Sequence, residues 1–96
     1  MRLQPTERFA KDYARLPGQI QQRVDRALGL LLENPRHPSL QAKKMEGYDN
    51  RWEARITLNY RLIFPIEGDA YILLRVGTHD LLMCPFLGVV LMPRLG

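Results

Sequence analysis

The chain has 96 residues, 46% of them hydrophobic and 25% charged, with a formal net charge of +4 from fourteen Lys and Arg against ten Asp and Glu. That length suits one modest core, expected as a single domain over residues 1–96, and the lone cysteine, Cys84, excludes an intramolecular disulfide framework or a cysteine-rich zinc site. The polar start MRLQPTERFAKDY is unlike a secretory signal, and the longest uncharged run, Leu81 to Pro93, is shorter than the roughly 18–20 apolar residues of a membrane span, so a cytoplasmic, non-membrane protein is expected.

Met1 to Gln4 reads as a short strand ended by Pro5. Thr6 is a candidate N-cap for a first helix running to about Leu16. Its Phe9, Tyr13 and Leu16 recur at steps of four and three and so share one face. Leu16-Pro17-Gly18 breaks that helix and starts a second, in which Ile20, Val24, Ala27, Leu28 and Leu31 form an apolar stripe. Asn34-Pro35 ends it, because the residue before a proline avoids the α region. The pair, about residues 6–34, is an αα-hairpin. After His37-Pro38 the period changes from helical to alternating. A short strand near Leu40 to Met45 leads to a turn at Gly47 to Arg51. Trp52, Ala54 and Ile56 then alternate with Glu53, Arg55 and Thr57 as a half-buried strand. Tyr60 to Phe64 is the next strand, and Glu67-Gly68-Asp69 is a tight turn with the glycine that a positive φ needs. Ala70 to Val76, apolar on both faces, reads as a central strand. Helices first and strands later, with hairpin-length links, predict an α+β fold with an N-terminal αα-hairpin packed on a twisted antiparallel sheet. The expected core sets Phe9, Tyr13, Ile20, Val24, Leu28 and Leu31 against Ile56, Leu62, Phe64, Ile72 and Leu74. The tail from Leu81 to Gly96 has one charge and two prolines. It could form an extra strand, a partner-binding segment or a surface for self-association.

The charge is uneven. Residues 1–61 carry twelve basic and seven acidic side chains, and residues 62–96 carry two and three; Arg outnumbers Lys eleven to three. Arginine suits bidentate contacts to phosphate, so the basic part is either a surface for a polyanion such as nucleic acid or a solvated basic face. Arg55 and Arg61 lie on successive predicted strands. A two-residue loop at Leu58-Asn59 would place them on opposite faces. A three-residue loop, Thr57-Leu58-Asn59, would pair Ile56 with Tyr60 and set Arg55 directly across from Arg61, with Asn59 supplying a left-handed residue. Like charges so placed repel, and an anion between them would relieve that. His79, just past the last predicted strand, is a candidate proton carrier, with Asp80 beside it. His37 reads as a turn residue. No HExxH, paired HxH, P-loop or GxSxG occurs, so metal hydrolase, NTPase and serine hydrolase readings find no motif.

Taken in order, F-x-K-x-Y-x-x-L-P, a second helix ending in N-P, K-K-M-x-G, W-E-A-R-I, N-Y-R-L-I-F and L-L-x-V-G-T-H-D resemble the RelE/ParE toxin superfamily. The resemblance is strongest over residues 2–82, with 83–96 atypical. It implies two N-terminal helices on a twisted antiparallel sheet and a toxin of a type II toxin–antitoxin system, held by an acidic cognate antitoxin. RelE-like members cleave mRNA on the ribosome, whereas ParE-like members inhibit DNA gyrase. On the RelE-like reading the resemblance puts Arg55 and Arg61 at the scissile phosphate and His79, as in YafQ-like relatives, at the proton transfer. Lys43, Lys44, Arg23 and Arg26 would contact RNA, together with Glu53, which stands where several ribosome-dependent relatives have lysine. The 2′-OH would attack the adjacent phosphate with neither metal nor other cofactor. Relatives place an aromatic a few residues after the histidine position. Here Met83, Cys84 and Pro85 follow, with Phe86 the nearest ring. The alternative is a ParE-like gyrase inhibitor, or a toxin-like protein that binds without catalysis.

Overall fold

The computed structural model describes residues 1–78. The readings made of His79, Asp80 and the tail therefore lie outside the described residues. The elements are β1 (Arg2–Pro5), α1 (Glu7–Ala14), α2 (Gly18–Glu33), β2 (Lys43–Lys44), β3 (Trp52–Arg55), β4 (Tyr60–Phe64), β5 (Ile66–Glu67), β6 (Ala70–Leu73) and β7 (Arg75–Thr78).

Thr6 caps α1 as expected. Its hydroxyl accepts the Phe9 N–H at 3.1 Å and donates to the Leu73 carbonyl at 2.8 Å, closing the helix and fastening its start to β6. The helix stops at Ala14, short of Leu16, because the Arg15 N–H turns back to the Asp12 carbonyl in a tighter final turn. Pro17 precedes α2 with φ −58°, already set for a helix. At the far end Asn34 is extended, in keeping with the proline that follows it.

The helical hairpin packs on a multi-stranded, mainly antiparallel sheet. Its larger part has the order β2-β3-β4-β7, with every pair antiparallel. A smaller part has the order β1-β6-β5, and here β1 runs parallel to β6, a departure from the all-antiparallel expectation. Parallel neighbours need a long connection, and the helices and β2–β5 supply it. The segment Ala70–Val76 is not one central strand. Ile66 faces Tyr71 and Ile63 faces Arg75, so three steps along one strand match four along the other. The extra residue is a β-bulge at Leu74–Arg75 opposite Ile63, whose carbonyl accepts the Leu74 N–H at 3.0 Å. Below it lies β6, above it β7.

The bulge also resets which side chains enter the core. Phe9, Val24, Ala27 and Leu31 meet Leu40, Ala54, Ile56, Leu62, Phe64, Tyr71, Leu73 and Val76. The expected Ile72 and Leu74 are thus replaced by their neighbours. Tyr71 sets its ring edge-on to Phe64 at 5.6 Å, a favourable aromatic geometry. Tyr13, Ile20 and Leu28 pack at the core margin rather than within it. No described helix is long and apolar enough to cross a membrane.

Candidate functional site

The β3–β4 hairpin places the two arginines. Trp52 faces Phe64, Ala54 faces Leu62 and Arg55 faces Arg61, while the Ile56 N–H bonds the Tyr60 carbonyl at 3.0 Å. This is the three-residue loop, Thr57-Leu58-Asn59. Asn59 does not take the left-handed conformation expected of it: among the described non-glycine residues only Gln41 has a positive φ. Side chains order the loop instead. Thr57 Oγ1 accepts the N–H groups of Asn59 and Tyr60, each at 3.2 Å. Arg61 Nη1 donates to the carbonyls of Thr57, Leu58 and Tyr60 at 2.7, 2.9 and 3.2 Å. One end of the Arg61 guanidinium is therefore a clasp on the loop.

Arg55 borders a cleft of about 550 Å³ between α2 and the hairpin end, where Arg23 and Arg26 join it. Ser39, Gln41 and Thr57 add polar groups, and Leu30, Leu40 and Ile56 give an aliphatic floor. The Arg55 N–H bonds the Leu40 carbonyl and holds that wall to β3. His37 Nδ1 accepts the Ser39 N–H at 3.1 Å, which supports the reading of His37 as a turn residue. Three of the expected site residues, Arg23 and Arg26 from α2 and Arg55 from β3, thus share one cleft.

A second cleft, about 500 Å³, lies beyond Tyr60 on the other side of the loop. Arg8, Lys11 and Arg15 line it from α1, at steps of three and four that put them on one helical face. Arg75 lines it from β7 and is held by Asp12, Nε to Oδ2 at 2.7 Å and Nη2 to Oδ1 at 3.3 Å. The same Asp12 carboxylate accepts the Val76 N–H at 3.2 Å, joining α1 to the edge of β7. The α1 stripe is legible as spacing, whereas the tie between Asp12 and Arg75, 63 residues apart, has no local signal.

Lys43 and Lys44 are exposed on β2 at the edge of the sheet. Glu53, grouped by resemblance with the RNA contacts, is only 6% exposed, and its Oε1 lies 3.7 Å from Lys43 Nζ. Alternation along β3 sets it on the face opposite Ala54, in register with Lys43 on one side and Ile63 on the other. Among the described residues, no three His, Cys, Asp or Glu side chains gather as a metal site.

A family model described as the ParE toxin of the type II toxin–antitoxin system, parDE, matches residues 3–81. Among solved structures, the RelB–RelE antitoxin–toxin complex from Methanococcus jannaschii contains a chain similar to this one with a TM-score of 0.73 at 26% identity, covering 86% of this chain and 98% of that one. The YoeB/ParE toxin from Agrobacterium tumefaciens gives 0.71 at 18% identity, over 82% and 99% of the two chains. YafQ from E. coli gives 0.71 at 16% identity, over 83% and 94%. The last two likenesses are of fold alone. No curated protein sequence matches.

Proposed function

The chain belongs to the ParE toxin family of type II toxin–antitoxin systems, within the wider RelE/ParE superfamily, and on that footing we propose that it is a toxin acting in the cytoplasm by binding a protein target, DNA gyrase, rather than by cutting RNA. The observation that supports this is the clasp made by Arg61. A cation that lowers the barrier to phosphate cleavage must aim its donors where negative charge develops. Arg61 Nη1 instead faces three carbonyls of its own hairpin loop. Its partner in the resting state is an acidic antitoxin; structures similar to this chain include the RelB–RelE and DinJ–YafQ complexes.

One observation favours a second reading. Arg55 stands directly across from Arg61, a pair of cations that could flank a phosphate. On that reading Arg55 and Arg61 hold the phosphate, His79 moves the proton, and the 2′-OH attacks to leave a cyclic phosphate and a 5′-OH. Lys43, Lys44, Arg23 and Arg26 then contact the RNA backbone on the ribosome, independently of sequence.

Purified full-length protein assayed for inhibition of gyrase supercoiling and for cleavage of mRNA on programmed ribosomes separates the two. The expected result is inhibited supercoiling without cleavage. Cleavage by the wild type, falling about a hundredfold or more in a folded Arg61→Ala variant, would establish the nuclease instead.

A further inference from the structure

We propose that the cleft between α1 and β7 is a binding site for the phosphodiester backbone of duplex DNA. This rests on the reading of the chain as a toxin that binds gyrase, and it adds that the toxin also grips the DNA which that target holds.

The free charge of this cleft lies along one helix. Arg8, Lys11 and Arg15 line it, and all three are exposed. Among the described residues none of them makes an ion pair. The one carboxylate in the cleft, Asp12, is already engaged. Its two oxygens meet Arg75 at 2.7 and 3.3 Å, and Oδ2 also accepts the Val76 N–H. Arg75 and Asp12 thus cancel, and three cations remain. From Arg8 to Arg15 a helix rises about 10 Å, which matches about three phosphate steps along one strand of a duplex. The tie from Asp12 to β7 fixes α1 on the sheet, so the three positions are set before DNA arrives.

The rest of the lining decides between kinds of polyanion. Leu16 and Tyr60 pack against the core, and Val76 and Gly77 are buried. An acidic peptide would therefore find little open apolar surface to cover. Proteins that hold single-stranded nucleic acid offer rings on which successive bases stack. Tyr60 is the only ring among the described residues lining the cleft, and the core already takes part of it. A duplex keeps its bases stacked on one another and presents its phosphates outward. Three exposed cations in a row can meet those phosphates without reading a base.

The test is fluorescence anisotropy with the full chain, from low salt upward, and three labelled probes. These are a short DNA duplex, one of its strands alone, and a peptide of glutamates. The duplex should bind most tightly, with the logarithm of its affinity falling against that of salt at a slope of about −2.7, the value for three phosphate contacts. Arg8→Gln, Lys11→Gln and Arg15→Gln should each take about 0.9 off the magnitude of that slope. Arg36→Gln, which removes a charge from the exposed turn after α2, should leave the slope unchanged, and circular dichroism should be unaltered throughout. Tighter binding of the single strand or of the peptide overturns the proposal. So does a slope that Arg36→Gln lowers as much as the α1 substitutions do. Capture of gyrase in the absence of DNA separates failure here from failure of the target reading. If the wild type holds gyrase but does not bind the duplex, the cleft assignment falls and the target reading stands. If the wild type does not hold gyrase, the target reading falls, and the duplex titration alone decides the cleft.

Discussion

Tyr13 donates its phenol hydrogen to Asp25 Oδ1 at 2.9 Å. That hydrogen bond, then partial desolvation and the carboxylate's charge, raise the phenol above its ordinary value of 10.0. The neutral form is the one favoured by folding. Its contribution is therefore whole below the unfolded phenol's titration and lost as pH rises through the higher folded value. An alkaline absorbance titration should show a late-ionising phenol that disappears in Tyr13→Phe; identical late transitions in the two proteins would refute the assignment. Single side chains were the least legible part of the site. The facing of Arg55 and Arg61 followed from one of two loop lengths. That Arg61 turns back onto the loop depends on side-chain torsions that spacing does not report. Glu53 had the same difficulty: alternation with Ala54 puts it on the face away from the main core, and spacing does not report that it is only 6% exposed there.

α2 presents Val24, Ala27 and Leu31 to the sheet, with Val24 and Leu31 fully buried and Leu28 at the margin. Leu31→Ala should therefore lower unfolding stability by about 2–5 kcal/mol, and Leu28→Ala by clearly less, as read from denaturant midpoints. Equal losses would mean that the helix sits rotated from the packing described. The helices were legible because a period of 3.6 fixes a face over many residues and because Thr6, Pro17 and Asn34-Pro35 mark the boundaries. The segment Ala70–Val76 was not. Where both sides of a strand are apolar, alternation has no contrast, and a one-residue error in phase exchanges every inward and outward side chain. The bulge at Leu74–Arg75 compounds this, since it permits Tyr71 and Leu73 to share the core with Val76. Nothing in the local composition announces such a bulge.

For the whole molecule, seven cations border the two clefts that flank the hairpin loop, and Asp12 is the one acidic residue lining either. A field of one sign over that end steers acidic partners toward it. The rate of association with the proposed antitoxin should thus fall as salt rises, while dissociation changes little; stopped-flow measurement across salt concentrations checks this, and a salt-independent association rate would count against it. The opposite side of the larger sheet ends differently. There the outermost strand, β2, is only two residues long, and both are lysines. An unpaired strand is ordinarily a template on which another chain can extend the sheet, the first step toward fibrils. A second copy of this protein, arriving edge to edge, would find few backbone groups to bond and would bring its lysines up against lysines. Among the described residues, the β2 border of this sheet is closed to growth by copies of itself.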